Sequence, residues 1–266
     1  MGSSSILAVG GAEDKYHKRD ILERFVAEAG GGRARIAVLP TASSVPEEKA
    51  AFYQQVFTDI GAAECVHVPI VTREDAELPD HASRIYEATG VFLTGGDQSR
   101  LVEVLGGTRA FQAIHARLRE KGVLAGTSAG ASAFSTTMIL GGSTGLQVRR
   151  DGVRLGPGLG IITRLIIDQH FSQRDRLGRL LTAVALEPTR LGVGIDEDTA
   201  IVYYGRGDLE VIGSGQVFVV DASRARFQGR EAEAGPLSLD GVTLHVLNPG
   251  DRFDVPGRRV TLASRG

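Results

Sequence analysis

Short apolar runs alternate with stretches of helical period through the first half of the chain. Strand-like runs fall at residues 5–10 (SILAVG), 34–39 (ARIAVL), 65–68 (CVHV), 90–93 (GVFL) and 122–126 (GVLAG). Being apolar along their length, they predict strands covered on both faces. Between the first two, Ile21, Leu22, Phe25, Val26 and Ala29 share one helical stripe, closed by Gly30, which takes a left-handed C-terminal conformation at little cost. Phe111, Ile114 and Leu118 mark a second helix. After about Met138 the rhythm changes to glycine-rich segments with short strand-like pieces, broken by a helix predicted to start near Ser172. There Leu177, Leu180, Leu181 and Val184 follow the i, i+3, i+4, i+7 pattern of an apolar face. From Asp208 onward turns separate the strand-like strings LEVIGSGQVFVV, VTLHVL and FDVPGRRVTL. The alternation predicts a single α/β domain over residues 1–266, with a mostly parallel sheet and an added β-rich C-terminal part. No repeat, low-complexity tract or long linker divides it.

Composition narrows the partners. The 266 residues carry 30 basic and 32 acidic side chains, a formal net charge of -2. That balance argues against nucleic acid and against a membrane surface, which usually need a basic excess. The one cysteine, Cys65, can form neither an internal disulfide nor a zinc knuckle. No stretch approaches the roughly 18 apolar residues of a membrane helix, and residues 1–11 lack the basic and apolar regions of a secretory leader. The expected location is the cytoplasm, with neither metal nor cofactor. Only Lys15, Lys18, Lys49 and Lys121 are lysines; the other 26 of the 30 basic residues are arginines.

Two strand ends carry candidate chemistry, LTGGDQ at 93–98 and AGTSAGAS at 125–132. Ligands of open parallel sheets bind beyond the carboxyl ends of strands, so both loops should face one crevice. The second reads G-x-S-x-G. Small neighbours let the chain turn sharply at Ser128 and expose its hydroxyl, while the next N–H, that of Ala129, points at a developing oxyanion. Gly95 and Gly96 offer a second oxyanion donor, or simply form a tight loop. A serine nucleophile needs a base. Of His17, His67, His81, His115, His170 and His245, only His170 follows an apolar strand, Leu165-Ile166-Ile167, at a strand end before a helix. His115 reads as a solvated helical residue, while His67 and His245 read as core histidines. The acid orienting His170 is Asp168 or one of Asp196, Glu197 and Asp198 in GIDED. Arg174, Arg176 and Arg179 cluster behind His170, either as carboxylate-binding forks or as a solvated helix face.

Together these strings resemble a known family. GGAEDK at 10–15, PTAS at 40–43, FLTGGDQSRL at 92–101, GTSAGAS at 126–132, IDQHFSQRDRLGRL at 167–180 and GIDEDTA at 194–200 are similar, in order, to the cyanophycinases of the peptidase E-like serine hydrolases. The resemblance spans residues 10 to about 221. It implies a three-layer α/β fold like that of class I glutamine amidotransferases, a homodimer, and hydrolysis of cyanophycin. That polymer is a poly-aspartate with arginine on each β-carboxyl, released as β-Asp-Arg dipeptides. By motif, Ser128 would be the nucleophile, His170 the base and Glu197 the orienting acid, with Gly96 and Ala129 supplying oxyanion N–H groups. Gln98, Asp168, Gln169, Arg174, Arg176 and Arg179 match substrate-pocket positions, and Asp168 is the expected holder of a substrate guanidinium. An α-aspartyl dipeptidase with the same triad is one rival. A glutaminase-type or sensor module without hydrolysis is another, although a glutaminase needs a cysteine at the elbow.

Overall fold

The computed structural model describes residues 4–264 apart from 206 and 232. The first half builds five strands and six helices: β1 (Ser5–Val9), α1 (Asp20–Glu28), β2 (Arg35–Leu39), α2 (Pro46–Ile60), β3 (Glu64–His67), α3 (Arg73–Glu77), α4 (Pro79–Glu87), β4 (Gly90–Leu93), α5 (Gln98–Leu105), α6 (Arg109–Arg119) and β5 (Val123–Thr127). The five strands lie parallel in the order β1-β5-β4-β2-β3. Alternation within each strand sends side chains to opposite faces. Leu7, Ile36, Val38, Phe92 and Ala125 meet α1 and α2 through Leu22, Phe25, Val26, Tyr53 and Phe57. Ala8, Ala37, Leu39, Val91 and Leu93 face the other way, toward Ile85 of α4, Leu101 and Leu105 of α5, and Ile114 of α6. β3 departs from the expectation of double coverage: it is the edge strand, and Cys65, Val66 and His67 are only half-buried.

The second half begins with α7 (Ala129–Ser132), β6 (Thr137–Gly142), β7 (Val153–Pro157), β8 (Leu165–Gln169), α8 (Leu177–Leu186) and β9 (Leu191–Ile195). It continues with β10 (Thr199–Tyr204), β11 (Asp208–Gly213), β12 (Val217–Asp221), β13 (Arg226–Gln228), β14 (Ser238–Asp240), β15 (Thr243–Leu247), β16 (Arg252–Asp254) and β17 (Arg259–Thr261). The mostly parallel sheet holds for the first half alone. β10, β11, β16 and β17 extend the β1 edge in antiparallel fashion to give nine strands; short connections join β10 to β11 and β16 to β17, whereas β1–β10 and β11–β16 pair across long stretches of chain. Of the C-terminal strands, β11, β16 and β17 are thus part of the large sheet, while β13 and β14 form a separate two-stranded sheet. β15, β12, β9 and β8 form a second, four-stranded sheet. Its inner face, with Leu165, Ile167, Val193 and Val219, shares one core with the large sheet. Its outer face, with Ile166 and Val220, is covered by Leu180, Ala183 and Val184 of α8.

The helix predicted from Ser172 starts later. Asp175 adopts a left-handed backbone (φ 49°) after a single 3-10 turn at Ser172–Arg174, so α8 begins at Leu177. No helix among the described residues is long and apolar enough to cross a membrane.

Candidate active site

Strand register brings the loops together. β1 runs parallel to β5 with Val9 opposite Thr127, so Gly10 and Ser128 emerge side by side. β8 runs parallel to β9 with Gln169 opposite Ile195, which places His170 beside the carboxylate run that follows β9. Ser128 has φ 53° and ψ -110°, outside the regions a side chain favours, and Ala129 starts α7 immediately afterwards. His170 and Asp198 also have positive φ, 48° and 47°. Unfavourable backbone of this kind persists only where surrounding contacts impose it, and it gathers at functional sites.

The Ser128 Oγ lies 3.0 Å from His170 Nε2, and His170 Nδ1 lies 2.6 Å from Glu197 Oε1. Among the described residues no other histidine bonds to Ser128. His17 is exposed, His67 sits 3.4 Å from Glu47, and His81 bonds the Asp75 carbonyl. His115, expected in solvent, is half-buried edge-on against Phe111, and His245 packs on Phe253. Burial pushes the His170 pKa down; Glu197 opposes this, while the charges of Arg174 and Arg176 add to it. The imidazole is thus biased toward the neutral form a base requires.

The three adjacent carboxylates divide the work, which makes their proximity tolerable. Asp196, 6% exposed, accepts from the Ser172 and Gln216 N–H groups. Asp198 accepts from the Asp14 N–H and the Ser214 hydroxyl. Glu197 faces His170, and Gln173 receives its main-chain N–H through Oε1 at 3.0 Å.

Gly96 has φ 150°, and a Cβ there would lie 1.9 Å from the Ala42 carbonyl oxygen, so only glycine fits. Gly95 and Gly96 line the same cleft as Ser128. The N–H groups of Gly96 and Ala129 have no acceptor among the described residues. Gly126 and Gly130 serve packing: they touch each other, and Gly130 also meets Leu93. Gln98 opens α5 behind the Asp97 cap, and its amide donates to the Ile139 carbonyl.

The solvated-face alternative for the arginines fails for two of the three. Arg176 and Arg179 are 8% and 7% exposed and both pair with Asp168, itself 1% exposed. Arg179 grips the carboxylate with Nε at 2.6 Å from Oδ2 and with Nη2 on Oδ1. Arg176 also donates to the main-chain and side-chain oxygens of Gln169; its pKa is pushed down to about 10, chiefly by burial, and its buried Nε has no hydrogen-bond partner among the described residues. Asp168 is thus already paired with two protein cations. Arg174 is exposed beside His170 and has no ion pair among the described residues.

The residues that sequence reasoning left without a role lie in the loop after β1. The Gly10 carbonyl accepts from the His170 N–H at 2.8 Å, the Gly11 carbonyl accepts from the Asp198 N–H at 2.9 Å, and Gly11 lies against the imidazole ring. GGAEDK was visible as a string, yet nothing local in it says which side chains it must admit.

A hydroxyl on a sharp strand-to-helix turn, backed by an imidazole and a carboxylate from separate strand ends, is an arrangement that serine hydrolases use. Comparison narrows the class to a peptidase: the profile of peptidase family S51 matches residues 6–210. The chain belongs to that family. It is 42% identical over 261 residues to a cyanophycinase of Trichormus variabilis, covering 97% of this chain and 87% of that one. A cyanophycinase of Geminocystis herdmanii is 42% identical over 254 residues, 94% of this chain and 93% of the relative. The crystal structure of a peptidase from an acI-B1 Actinobacterium superposes with a TM-score of 0.68 at 23% identity, covering 95% and 97% of the two chains, and so shares the fold.

Proposed function

We propose that this peptidase hydrolyses cyanophycin to β-Asp-Arg dipeptides through Ser128, His170 and Glu197. The observation that carries the reading is the continuous contact from Ser128 Oγ through His170 to Glu197, in a chain 42% identical over nearly all its length to the two cyanophycinases named above. Ser128 attacks the main-chain aspartyl carbonyl as its proton passes to His170 Nε2. The oxyanion is received by the N–H groups of Gly96 and Ala129. His170 then protonates the leaving amine, and water, deprotonated by the same imidazole, releases the acyl group. Glu197 keeps Nδ1 protonated and stabilises the transient imidazolium.

In such a polymer every repeat ends in an arginyl carboxylate and a guanidinium. Arg174, Arg176 and Arg179 suit the carboxylates. Asp168 and Gln169 act behind them by fixing Arg176 and Arg179, while Gln98 stands at the mouth of the neighbouring loop. The test is incubation with purified cyanophycin and, in parallel, with α-aspartyl dipeptides, followed by product masses. β-Asp-Arg from the wild type and none from Ser128→Ala is the expected result; cleavage of the α-dipeptides alone sinks the reading.

A further inference from the structure

Lysine is scarce in this chain, yet two of its four lysines line a single cleft. Lys15 and Lys49 share a space of about 390 Å3 with Ser128, Gly96, Glu13 and Tyr53. Arg174, Arg176 and Arg179 are not among its lining residues. This is a cationic region separate from the arginine cluster, and both border the reacting serine or its base.

Lys15 is held in place. Its Nζ donates to the Glu13 carbonyl at 2.7 Å and lies 3.3 Å from Glu13 Oε1, with the side chain 19% exposed. Glu13 is buried and its carboxylate is already engaged: Tyr53 Oη donates to Oε1 at 2.5 Å and Thr127 Oγ1 donates to Oε2 at 2.6 Å. Tyr53 is fixed in turn by the aromatic packing of Phe57 and Phe92. The core thus reaches through Tyr53 and Glu13 to place one ammonium beside the residue preceding the nucleophile. An ammonium has three N–H donors, and Glu13 takes at most two of them. Lys49 is exposed on the first turns of α2. With Glu13 as the carboxylate of this group and two lysines beside it, the cleft keeps an excess positive charge.

We infer that Lys15 and Lys49 form a second carboxylate subsite, which reads a carboxylate of the substrate as its chain lies across Ser128. The inference rests on the function proposed above and adds a specificity determinant to it. The carboxylate has two sources in a poly-aspartyl chain bearing arginine: an arginyl branch or the carboxyl-terminal aspartate. They differ in consequence, since the second makes the cleft a reader of chain ends.

A two-unit substrate, (β-Asp-Arg)2, separates these possibilities. Besides the unmodified compound, three versions are made, each with one carboxylate converted to a carboxamide: the first arginyl, the second arginyl or the terminal aspartyl group. Full kinetics are measured for the wild type, Lys15→Met, Lys49→Met and Lys49→Arg. One carboxamide should lower wild-type kcat/KM, mainly through KM, and that penalty should shrink roughly tenfold in Lys15→Met. It should shrink by up to about fivefold in Lys49→Met, whose side chain is exposed, and return in Lys49→Arg. The carboxamide whose penalty disappears identifies the source. Lys15→Met leaves Glu13 without its cation and is liable to fold poorly, in which case the exposed Lys49 pair carries the test. Unchanged penalties in the lysine variants, or an equal loss on all four compounds, overturns the inference. Failure of the wild type to cleave the unmodified compound and cyanophycin alike overturns the underlying reading instead.

Discussion

Gly11 sits so close to the His170 imidazole that a Cβ built on it would lie 2.4 Å from Cε1 and 2.6 Å from Nε2. With φ at 95°, the position disfavours any side chain on backbone grounds as well. Glycine here is the wall against which the imidazole is set. Because His170 and Ser128 are 3.0 Å apart, a ring pushed away from Gly11 loses its bond to the Ser128 hydroxyl. Gly11→Ala is expected to lower kcat by roughly a hundredfold, the scale of about 1 Å of misplacement, with a smaller change in KM. A kcat within twofold of wild type in a correctly folded variant would show that the ring does not depend on this wall.

The pH profile follows from the lowered pKa of His170. The proposed base must be a neutral imidazole, so kcat/KM should rise with pH through an apparent pKa below about 6.5, the ordinary histidine value. Arg174→Met removes a charge that disfavours protonation, so its acid limb should move to higher pH. Glu197→Gln removes a group that favours protonation, so its limb should move lower while the rate falls roughly ten-thousandfold. For stability the sign is separate: a folded pKa below the unfolded one means that the unfolded chain takes up the proton first. The His170 contribution is therefore a loss of stability as pH falls from about 6.5 toward the folded pKa. Rate profiles of the three proteins check the directions, and limbs that coincide contradict them.

The arginines should separate by position. Asp168→Ala leaves two buried guanidinium groups without their counter-ion and is expected to cost about 3–5 kcal/mol of unfolding free energy. Arg179→Met exposes the complementary defect and is for that reason a poor probe of substrate binding. Arg174→Met, at an exposed site, should stay within about 0.5 kcal/mol of wild type while raising KM. Urea titrations paired with steady-state kinetics decide this, and equal stabilities for all three variants would contradict the buried pairing.

Adjacent Asp196 and Glu197 should fail in opposite ways. Asp196→Ala strips acceptors from the Ser172 and Gln216 amides, at about 1–3 kcal/mol of stability for each amide left unpaired. Glu197→Ala, at a partly exposed carboxylate, should keep the melting temperature close to wild type and abolish most turnover. Thermal melts of the two variants beside their kcat values make the comparison.

Much of the candidate site could be read from the chain because its residues sit at strand ends, and strand ends are local features. The apolar runs before Ser128 and His170, the small residues around the elbow and the glycines after β4 each declare themselves within a few residues. The carboxylate of GIDED facing His170 could not be chosen from spacing, since Asp196, Glu197 and Asp198 are chemically equivalent in the string and only the turn's geometry directs each one. The helix start is hidden by the same limit: the Ser172–Arg174 turn carries helix-compatible residues, and the left-handed Asp175, whose carbonyl accepts from the distant Gly145 N–H, has no local signal.

What the sequence by itself determined is the α/β alternation, the serine at the turn after one apolar strand, the histidine at the end of another and the absence of an internal disulfide, because periodicity, side-chain volume and cysteine count act over short range or over the whole composition. Tertiary structure alone decided that Arg176 and Arg179 share Asp168, that Gly11 backs His170 from 159 residues away, and that Glu13 holds Lys15 while bonding Thr127, 114 residues further on. It also decided that half the large sheet is antiparallel. These relations depend on which buried charges find each other once two sheets close on one core, and a burial partner leaves no periodic trace along the chain.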